Sequence, residues 1–374
     1  MSKTILYGAF GRYNFGDMLF PYIIEKLLAQ NNSETDIEYC DILSRDMRKH
    51  GGHKVKSIVD FFDYPDLINV VHVGGETLGC DMEFAIRMFN PDGNDLNIAR
   101  LKKISGPAYI LSKSDFAKPN KFILNSAGGF SAQACGKLKN YNYISLRDHD
   151  SFKKAVENSL ENSIHCVDSA ILTKRFFDHT IIKRNDSEHI RAINKSVGLS
   201  YIAVQINKNF YFHHKNLIVK CLHDIIQKNN LPIVFFVAGT AFGHDNFNIY
   251  HELSKDLPKN MFHICESENC WDVCNIISNA RFVLGTSLHV RILSMQYFRP
   301  RATLNKESKH LGFIMDWDNV KNISVNLQNL PLYISKSLLN YDMLSDMKHL
   351  DFLEKDFLYK STWINELNET TYER

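Results

Sequence analysis

The chain has 374 residues, enough for two domains that each bury a core of their own. Its 44 Lys and Arg against 42 Asp and Glu leave a formal charge of +2, which is too close to neutral for a broad nucleic-acid-binding face. No apolar run is long enough to span a bilayer, and the first residues do not resemble a signal peptide. We therefore expect a cytoplasmic protein, globular throughout, whose eight scattered cysteines stay reduced.

The first half alternates short β-branched runs with amphipathic stretches, a pattern typical of βαβ units and a mostly parallel sheet. An apolar stripe from Met18 to Leu27 predicts a helix after the first strand. The predicted strands of this half are 4–7, 37–42, 69–73, 108–111, 121–125, 143–146 and 163–167.

The charged stretch 176–196 lacks a clear period and predicts a connector. A second series of strands follows, at 201–206, 233–237, 261–265, 282–284 and 301–304, with helices around 217–227 and 271–279. We therefore predict an α/β protein with a Rossmann-like doubly wound domain over 1–180, a second over 197–335, and a helical tail over 336–374 that packs back on the domains. Two such domains facing a cleft would place ligands at the carboxyl ends of their strands.

Glycines follow two of the strands in the first half. The loop from Gly8 to Asp17 lets the backbone approach a ligand, but its spacing is not the dinucleotide fingerprint, and Asp17 can equally cap the next helix. Gly74 and Gly75 precede Glu76 after another strand, and they indicate either close backbone approach to a ligand or a tight turn.

Charged groups follow strands in both halves. Arg147 can fork onto a carboxylate or phosphate, or it can form a structural pair with Asp148. The densest group is Gly285–Arg291, where His289 can titrate near neutral pH beside Arg291, and where the alternative is a helix cap with a core histidine. The pair His244-Asp245 also follows an apolar run and points toward the cleft.

Cys265, Cys270 and Cys274 lie near His263 and suggest a metal site. Paired C-x-x-C knuckles are missing from the sequence, and Cys270 and Cys274 fit one face of a helix. We expect no metal.

Several segments, in this order, resemble the polysaccharide pyruvyl transferase family. They extend from about residue 4 to about residue 315 and read GAFGRYNFGD, NVVHVGGE, ILNSAGG, YISLRDHDS, VDSAIL, ARFVLGTSLHVRI and NKESKHLGF. The resemblance implies a glycosyltransferase-B-like architecture and the transfer of a pyruvyl group from phosphoenolpyruvate to a sugar as a ketal. Phosphoenolpyruvate is then the donor substrate, and no separate cofactor is expected.

With this resemblance, the candidate residues take hypothetical roles. His289 is the general acid or the cation that faces the phosphate, and Asp17 or Glu76 is the base or the group that orients a hydroxyl. The donor is held by Arg147, Ser287, Arg291 and Lys309, the last on a loop where a lysine is more often solvated. Acceptor-side candidates are Gly11, Asn14, Gly74 and Gly75, and further cleft candidates are His244 and Asp245. The N-terminal domain is the expected acceptor side and the C-terminal domain the donor side.

One position departs from the family pattern. Much of the family carries Arg-Leu-His where this chain has Ser287-Leu288-His289, and Arg291 can supply the missing charge. Two alternatives therefore stay open: a glycosyltransferase that uses a nucleotide-activated sugar, and a catalytically silent glycan-binding relative. The expected partners are phosphoenolpyruvate and a sugar or oligosaccharide, lipid-linked or not. Basic patches such as Lys113–Lys121 allow a peripheral position at the inner face of the plasma membrane, or are solvated faces.

Overall fold

The computed structural model describes residues 2–31, 36–89, 96–102, 104–184, 187–304, 307–320 and 326–368. These residues form two domains, each built on its own sheet. The first domain comprises the residues up to Tyr13, Asp17–Ser169 and the chain from Leu353 onwards, and the second comprises Asn14–Gly16 and Ala170–Phe352. The short segment Asn14–Gly16 thus packs with the second domain, although the chain on either side of it belongs to the first.

The sheet of the first domain is parallel except for its outermost pair. Its strands, in chain order, are β1 (Lys3–Tyr7), β2 (Asp36–Asp41), β3 (Arg45–Asp46), β4 (Lys54–Ser57), β5 (Ile68–His72), β6 (Gly75–Glu76), β7 (Pro119–Gly128), β8 (Tyr143–Leu146) and β9 (Ile164–His165). In space they follow the order β3-β4-β2-β1-β5-β7-β8-β9, with β6 paired to β7. Strands β1 and β5 are buried along their whole length, as expected when both faces of a parallel sheet are covered.

Helices and long loops connect these strands. The helices of this part of the chain are α1 (Phe15–Gln30), α2 (Met82–Phe89), α3 (Leu96–Leu101), α4 (Cys135–Leu138) and α5 (His149–Glu157). The stripe that predicted α1 is buried at Met18, Leu19, Ile23 and Leu27, which confirms that helix.

Strand register brings three loops to one edge of this sheet. Tyr7 at the end of β1 pairs with His72 at the end of β5, and His72 pairs with Leu124 of β7. Ala127 of β7 pairs in turn with Leu146, the last residue of β8. The loops that follow β1, β5 and β8 therefore leave the sheet on the same side.

The second domain has a smaller, wholly parallel sheet. Its strands are β10 (Ile202–Gln205), β11 (Ile233–Phe235), β12 (Phe262–Ile264), β13 (Phe282–Gly285) and β14 (Arg301–Thr303), in the spatial order β12-β11-β10-β13-β14. Its helices are α6 (Thr173–Lys183), α7 (Glu188–Val197), α8 (Lys208–Asn229), α9 (Phe247–Ser254), α10 (Cys270–Asn279), α11 (Leu288–Gln296), α12 (Ser308–Asp316) and α13 (Leu330–Asn340).

The C-terminal helices α14 (Met343–Lys360) and α15 (Trp363–Asn368) are divided between the domains. The part of α14 up to Phe352 packs with the second domain, where its buried Asp346 bonds to Arg301. From Leu353 the chain packs with the first domain, where the Tyr143 hydroxyl donates to the Lys360 carbonyl at 2.7 Å. Among the described residues, no helix has both the length and the hydrophobicity needed to cross a membrane.

Most predicted strands are confirmed within a residue or two, but two predictions are wrong. Residues 108–111 are buried yet form no strand; the Ala108 N–H donates to the Cys80 carbonyl, outside the sheet. The predicted connector over 176–196 consists largely of α6 and α7. Thr173, Phe177 and Ile181 are buried at a spacing of four, a helical stripe that the surrounding charges hide.

Candidate active site

The loop after β1 rests on a buried carboxylate of β2. Asp41 accepts hydrogen bonds from the Gly11 N–H at 2.8 Å and from the Tyr109 hydroxyl at 3.1 Å. Burial raises the pKa of Asp41 to about 6, although nearby Arg12 and these donors oppose the shift. Arg12 donates to the Ala9 carbonyl and lies 3.6 Å from Asp17. Gly11 is therefore held from inside the domain, and the same network reaches the candidate base Asp17.

The paired glycines after β5 adopt backbone conformations that other residues rarely reach. Gly74 has φ +129° and Gly75 has φ +99°. A Cβ on Gly75 would lie 3.6 Å from the Asp17 Oδ1. The loops after β1 and β5 thus meet at Asp17, as the strand register requires.

Arg147, directly after β8, is clamped between two carboxylates of the first domain. Its guanidinium lies 2.5 Å from the Glu76 carboxylate and 2.7 Å from that of Asp168. Burial opposes the charge, but Asp168 and Glu76 outweigh it, so the pKa of Arg147 is raised. Arg147 and Asp168 are buried, whereas the Glu76 side chain is 39% exposed and is the accessible end of the cluster.

Asp148, the next residue, caps helix α5 by accepting a hydrogen bond from the Ser151 N–H. The carboxylate of Asp148 therefore serves the start of this helix. Arg147 forms its ion pairs with Glu76 and Asp168.

In the second domain, a buried glutamine joins the ends of two neighbouring strands. Gln205 ends β10 and is paired in register with Gly285, the last residue of β13. Its Oε1 accepts from the N–H groups of Thr286 and Ser287, both at 2.9 Å, and its Nε2 donates to the Asp245 carboxylate at 2.9 Å. The Thr286–Ser287 turn leads into α11, of which Ser287 is the N-cap residue.

His289 lies in the first turn of α11 and packs against the segment Asn14–Gly16. It is 7% exposed, and its ring makes an edge contact with Phe15. A Cβ on Gly16 would overlap the imidazole and would lie 2.6 Å from the His289 Cβ. Only a glycine therefore fits at position 16.

The segment beside His289 is fixed by the turn after β11. The Phe15 N–H donates to the Ala238 carbonyl at 2.8 Å, and Asn14 forms an isolated antiparallel bridge with Gly239. Asp245 accepts from the Ala238 N–H, while the half-buried His244 accepts through its carbonyl from the Lys208 N–H. The structure thus brings Asn14, Asp245, Ser287 and His289 into one neighbourhood.

Arg291 and Lys309 make their contacts elsewhere in the same domain. Arg291 donates to Asp318 at 2.6 Å, to the Thr303 hydroxyl at 2.9 Å and to the Val320 carbonyl at 2.6 Å. Lys309 pairs with Glu307 at 3.0 Å. Asn305 and Lys306 of the same motif lie outside the described residues. Donor binding by Arg291 and Lys309 stays a prediction.

The cysteines of the suspected metal site belong to the core. Cys270 and Cys274 lie on α10, and burial raises the pKa of both thiols. Within the described part of the chain, no three His, Cys, Asp or Glu side chains are grouped as metal ligands.

The arrangement around His289 suits an anion. The first turn of a helix presents N–H groups and the positive end of the helix dipole, and α11 begins here with a half-buried Ser287 and a histidine.

Comparison with protein families shows the family to which this motif belongs. The model of the polysaccharide pyruvyl transferase family matches residues 14–305. The chain belongs to the polysaccharide pyruvyl transferase family. The resemblance found in the sequence is confirmed, and membership makes the protein a transferase of polysaccharide biosynthesis.

Solved structures agree on the fold of this pyruvyl transferase family member. UDP-GlcNAc 2-epimerase from Neisseria meningitidis, bound to UDP-GlcNAc, aligns with a TM-score of 0.59 at 12% identity, covering 98% of this chain and 99% of its own. The S. aureus MnaA-UDP co-structure aligns with a TM-score of 0.59 at 12% identity over 98% and 95% of the two chains. These neighbours confirm a glycosyltransferase-B-like fold and carry no statement about substrate. No curated protein matched the sequence.

Proposed function

We propose that the protein transfers the pyruvyl group of phosphoenolpyruvate to two hydroxyls of a sugar, forming a ketal on a bacterial cell-surface glycan. The observation that supports this most is the family match over residues 14–305, which includes the His289 motif and its neighbourhood. The acceptor is a saccharide, free or lipid-linked, and the reaction takes place in the cytoplasm or at the inner face of the plasma membrane.

The proposed reaction balances without a cofactor. Both sugar oxygens bond to the central carbon of phosphoenolpyruvate, and the bond from that carbon to the phosphate oxygen breaks. One hydroxyl proton ends on the methylene carbon, which becomes a methyl group, and the other leaves with phosphate. The enzyme must deliver a proton to carbon, accept one from a hydroxyl, and stabilise the departing phosphate.

The second domain carries groups suited to the donor. In this proposal the first turn of α11 and Ser287 bind the phosphate, and His289 donates the proton or faces the phosphate as a cation. In the first domain, Glu76 or Asp17 is the proposed base. Arg147 holds Glu76 in place and is the proposed contact for the donor carboxylate.

Phosphate release from phosphoenolpyruvate tests the proposal, measured with a panel of capsular and cell-wall oligosaccharides. We expect acceptor-dependent release by the wild type and a loss of at least about a hundredfold in kcat for His289→Ala. His251→Ala is the matched control, because His251 lies on α9 as an exposed partner of Glu266. Release that does not depend on any acceptor, or a His289→Ala variant with normal turnover, would contradict the proposal.

Thermal shift separates the two alternatives. Stabilisation by phosphoenolpyruvate but not by nucleotide sugars supports pyruvyl transfer, whereas the reverse supports a nucleotide-sugar glycosyltransferase. Stabilisation by glycans alone, with no phosphate released, identifies a silent relative.

A further inference from the structure

Two sets of hydrogen bonds hold the residues around His289 in place, and the Asp245 carboxylate takes part in both. We call these two sets the supports of His289. One support runs through a side chain: Asp245 accepts from Gln205 Nε2 through both oxygens, each at 2.9 Å, and Gln205 Oε1 accepts from Thr286 and Ser287. The turn held in this way leads directly into the first turn of α11. His289 is the second residue of that helix.

The other support runs through the backbone. Asp245 Oδ2 accepts from the Ala238 N–H at 2.6 Å, and the Asp245 N–H donates to the Gly239 carbonyl at 2.9 Å. The same two residues, Ala238 and Gly239, hold Phe15 and Asn14. Gly16, the next residue, is the one on which the imidazole packs.

We propose that Asp245 is the positioning residue of His289, acting through Gln205 on one side and through the Ala238–Gly239 turn on the other. Its importance for catalysis rests on the function proposed above, but the positioning itself does not. The inference adds Gln205 and the Ala238–Gly239 turn to the site and gives Asp245 a defined task.

The polarity of the Gln205 side chain makes this arrangement directional. Thr286 and Ser287 offer donors, so the side of Gln205 that meets them must be an oxygen, and its amide nitrogen must then meet an acceptor. A carboxylate at position 245 accepts from this amide nitrogen and also accepts from the Ala238 N–H. An amide at 245 does not, because at least one pair of donors would face each other however Gln205 turns.

The titratable group that faces Asp245 from helix α9 is Tyr250, whose hydroxyl donates to the Phe236 carbonyl. Burial raises the pKa of Asp245 to about 7, against the donors Ala238, Gln205 and Gly239. The two supports are therefore strongest when Asp245 is ionised, at or above neutral pH.

A swap of polarity tests the proposal. Asp245→Asn and Gln205→Glu each place like groups against one another. The double variant D245N/Q205E keeps the total charge, gives Thr286 and Ser287 an acceptor again, pairs an amide N–H at 245 with a carboxylate oxygen at 205, and leaves the amide oxygen at 245 for Ala238. Asp272→Asn is the matched control, because Asp272, on α10, is also a buried carboxylate of this domain and accepts a hydrogen bond from the Ser267 hydroxyl.

Two readouts are independent of the reaction. We expect hydrogen exchange at the Thr286 and Ser287 amides to quicken about tenfold or more in Asp245→Asn at pH 8, and to return to within about threefold of wild type in the double variant. The rate of His289 carbethoxylation, followed by peptide mass spectrometry, should likewise rise in Asp245→Asn and return toward the wild-type rate in the double variant. Asp272→Asn should change neither.

Each outcome of these experiments either supports or overturns the positioning role of Asp245. Unchanged exchange and unchanged His289 reactivity in Asp245→Asn overturn the proposal, and so does a double variant that is no better than the single ones. If Asp245→Asn does not fold, a folded double variant supports the proposal and an unfolded one overturns it. The kcat for phosphate release should fall and recover in parallel, with less change in KM. A wild type without that activity would refute the proposed function while leaving the exchange result to stand for Asp245.

Discussion

Two buried aspartates of the second domain show how partners decide what a carboxylate does. The Asp245 centre consists of Asp245, Gln205 and the Ala238 N–H, all of them uncharged except the carboxylate, and the pKa of Asp245 is about 7. The Asp318 centre consists of Asp318 with Arg291 and Arg301, at 2.6 Å from each guanidinium. There burial also opposes the charge, but the two arginines outweigh it and hold the pKa of Asp318 well below its usual range.

The difference assigns the two centres different tasks. The Asp318 carboxylate is ionised at neutral pH, and its partner Arg301 also binds Asp346 on α14, so this centre joins strand β14 to a C-terminal helix. The Asp245 centre lies beneath His289 and changes charge near neutral pH. A carboxylate paired with arginines holds elements of the fold together, whereas a carboxylate held by neutral donors can change its charge near neutral pH and so affect a neighbouring site.

The largest expected effect comes from removing charge at the Asp318 centre. Asp318→Asn should lower the free energy of unfolding by about 3–5 kcal/mol, because the buried guanidinium of Arg291 would lose its carboxylate partner and that of Arg301 would keep only Asp346. Urea unfolding followed by circular dichroism measures this, with Asp272→Asn as the control. If Asp245→Asn destabilises the domain as much as Asp318→Asn does, the contrast between the centres is wrong.

The next effect is a loss of rate that comes from a local clash. Gly16→Ala places a methyl group inside the imidazole of His289, so the ring must move, and we expect kcat to fall about a hundredfold. Gly136→Ala is the control, since Gly136 also lies in a helix and its Cβ would meet nothing within 4 Å. Normal turnover in Gly16→Ala would show that the packing of His289 on this segment is irrelevant to the reaction.

Sequence patterns predicted local structure well because periodicity is a local signal. Eleven of the twelve predicted strands overlap observed ones, and the exception, 108–111, is an apolar run buried outside the sheet. The short strands β3 and β4 carry exposed charged residues and were not predicted. Helix α6 was hidden by its charges, although its buried positions keep a spacing of four.

The site was predictable only as far as strand ends reveal it. His289, Asp245 and Arg147 follow strands, and that position singled them out. Gln205 was missed although it is a polar residue at the last position of an apolar strand, which is a usable signal. The contacts of Arg291 with Asp318 and of Gly16 with His289 join residues far apart in the chain, so no spacing rule could reveal them.

A smaller effect separates architecture from binding at Arg291. Arg291→Lys keeps the charge but cannot reproduce three directed hydrogen bonds, so we expect a loss of about 1–3 kcal/mol in the free energy of unfolding. The KM for phosphoenolpyruvate should stay within about twofold of wild type if the guanidinium serves only the Asp318 centre. A clear rise in KM would instead assign Arg291 to the donor, as the sequence predicts.

The last effect is a difference in slope, and it belongs to the Asp245 centre. The pKa of Asp245 is about 7 in the folded protein and near 3.8 when unfolded, so between these values the folded state holds a proton that the unfolded state has released. Stability from this group therefore falls as pH rises through that window, by at most about 1.4 kcal/mol per pH unit, and is level above it. Asp245→Asn removes the contribution.

Urea unfolding of both proteins at several pH values between 4 and 8 measures this slope. The free energy of unfolding of the wild type, minus that of the variant, should decline from pH 4 to 7 and then stay constant. Asp41, whose pKa is also raised, cancels in this difference because both proteins contain it. A difference that rises with pH would mean that Asp245 is held by positive charge, as Asp318 is, and the two centres would no longer be opposites.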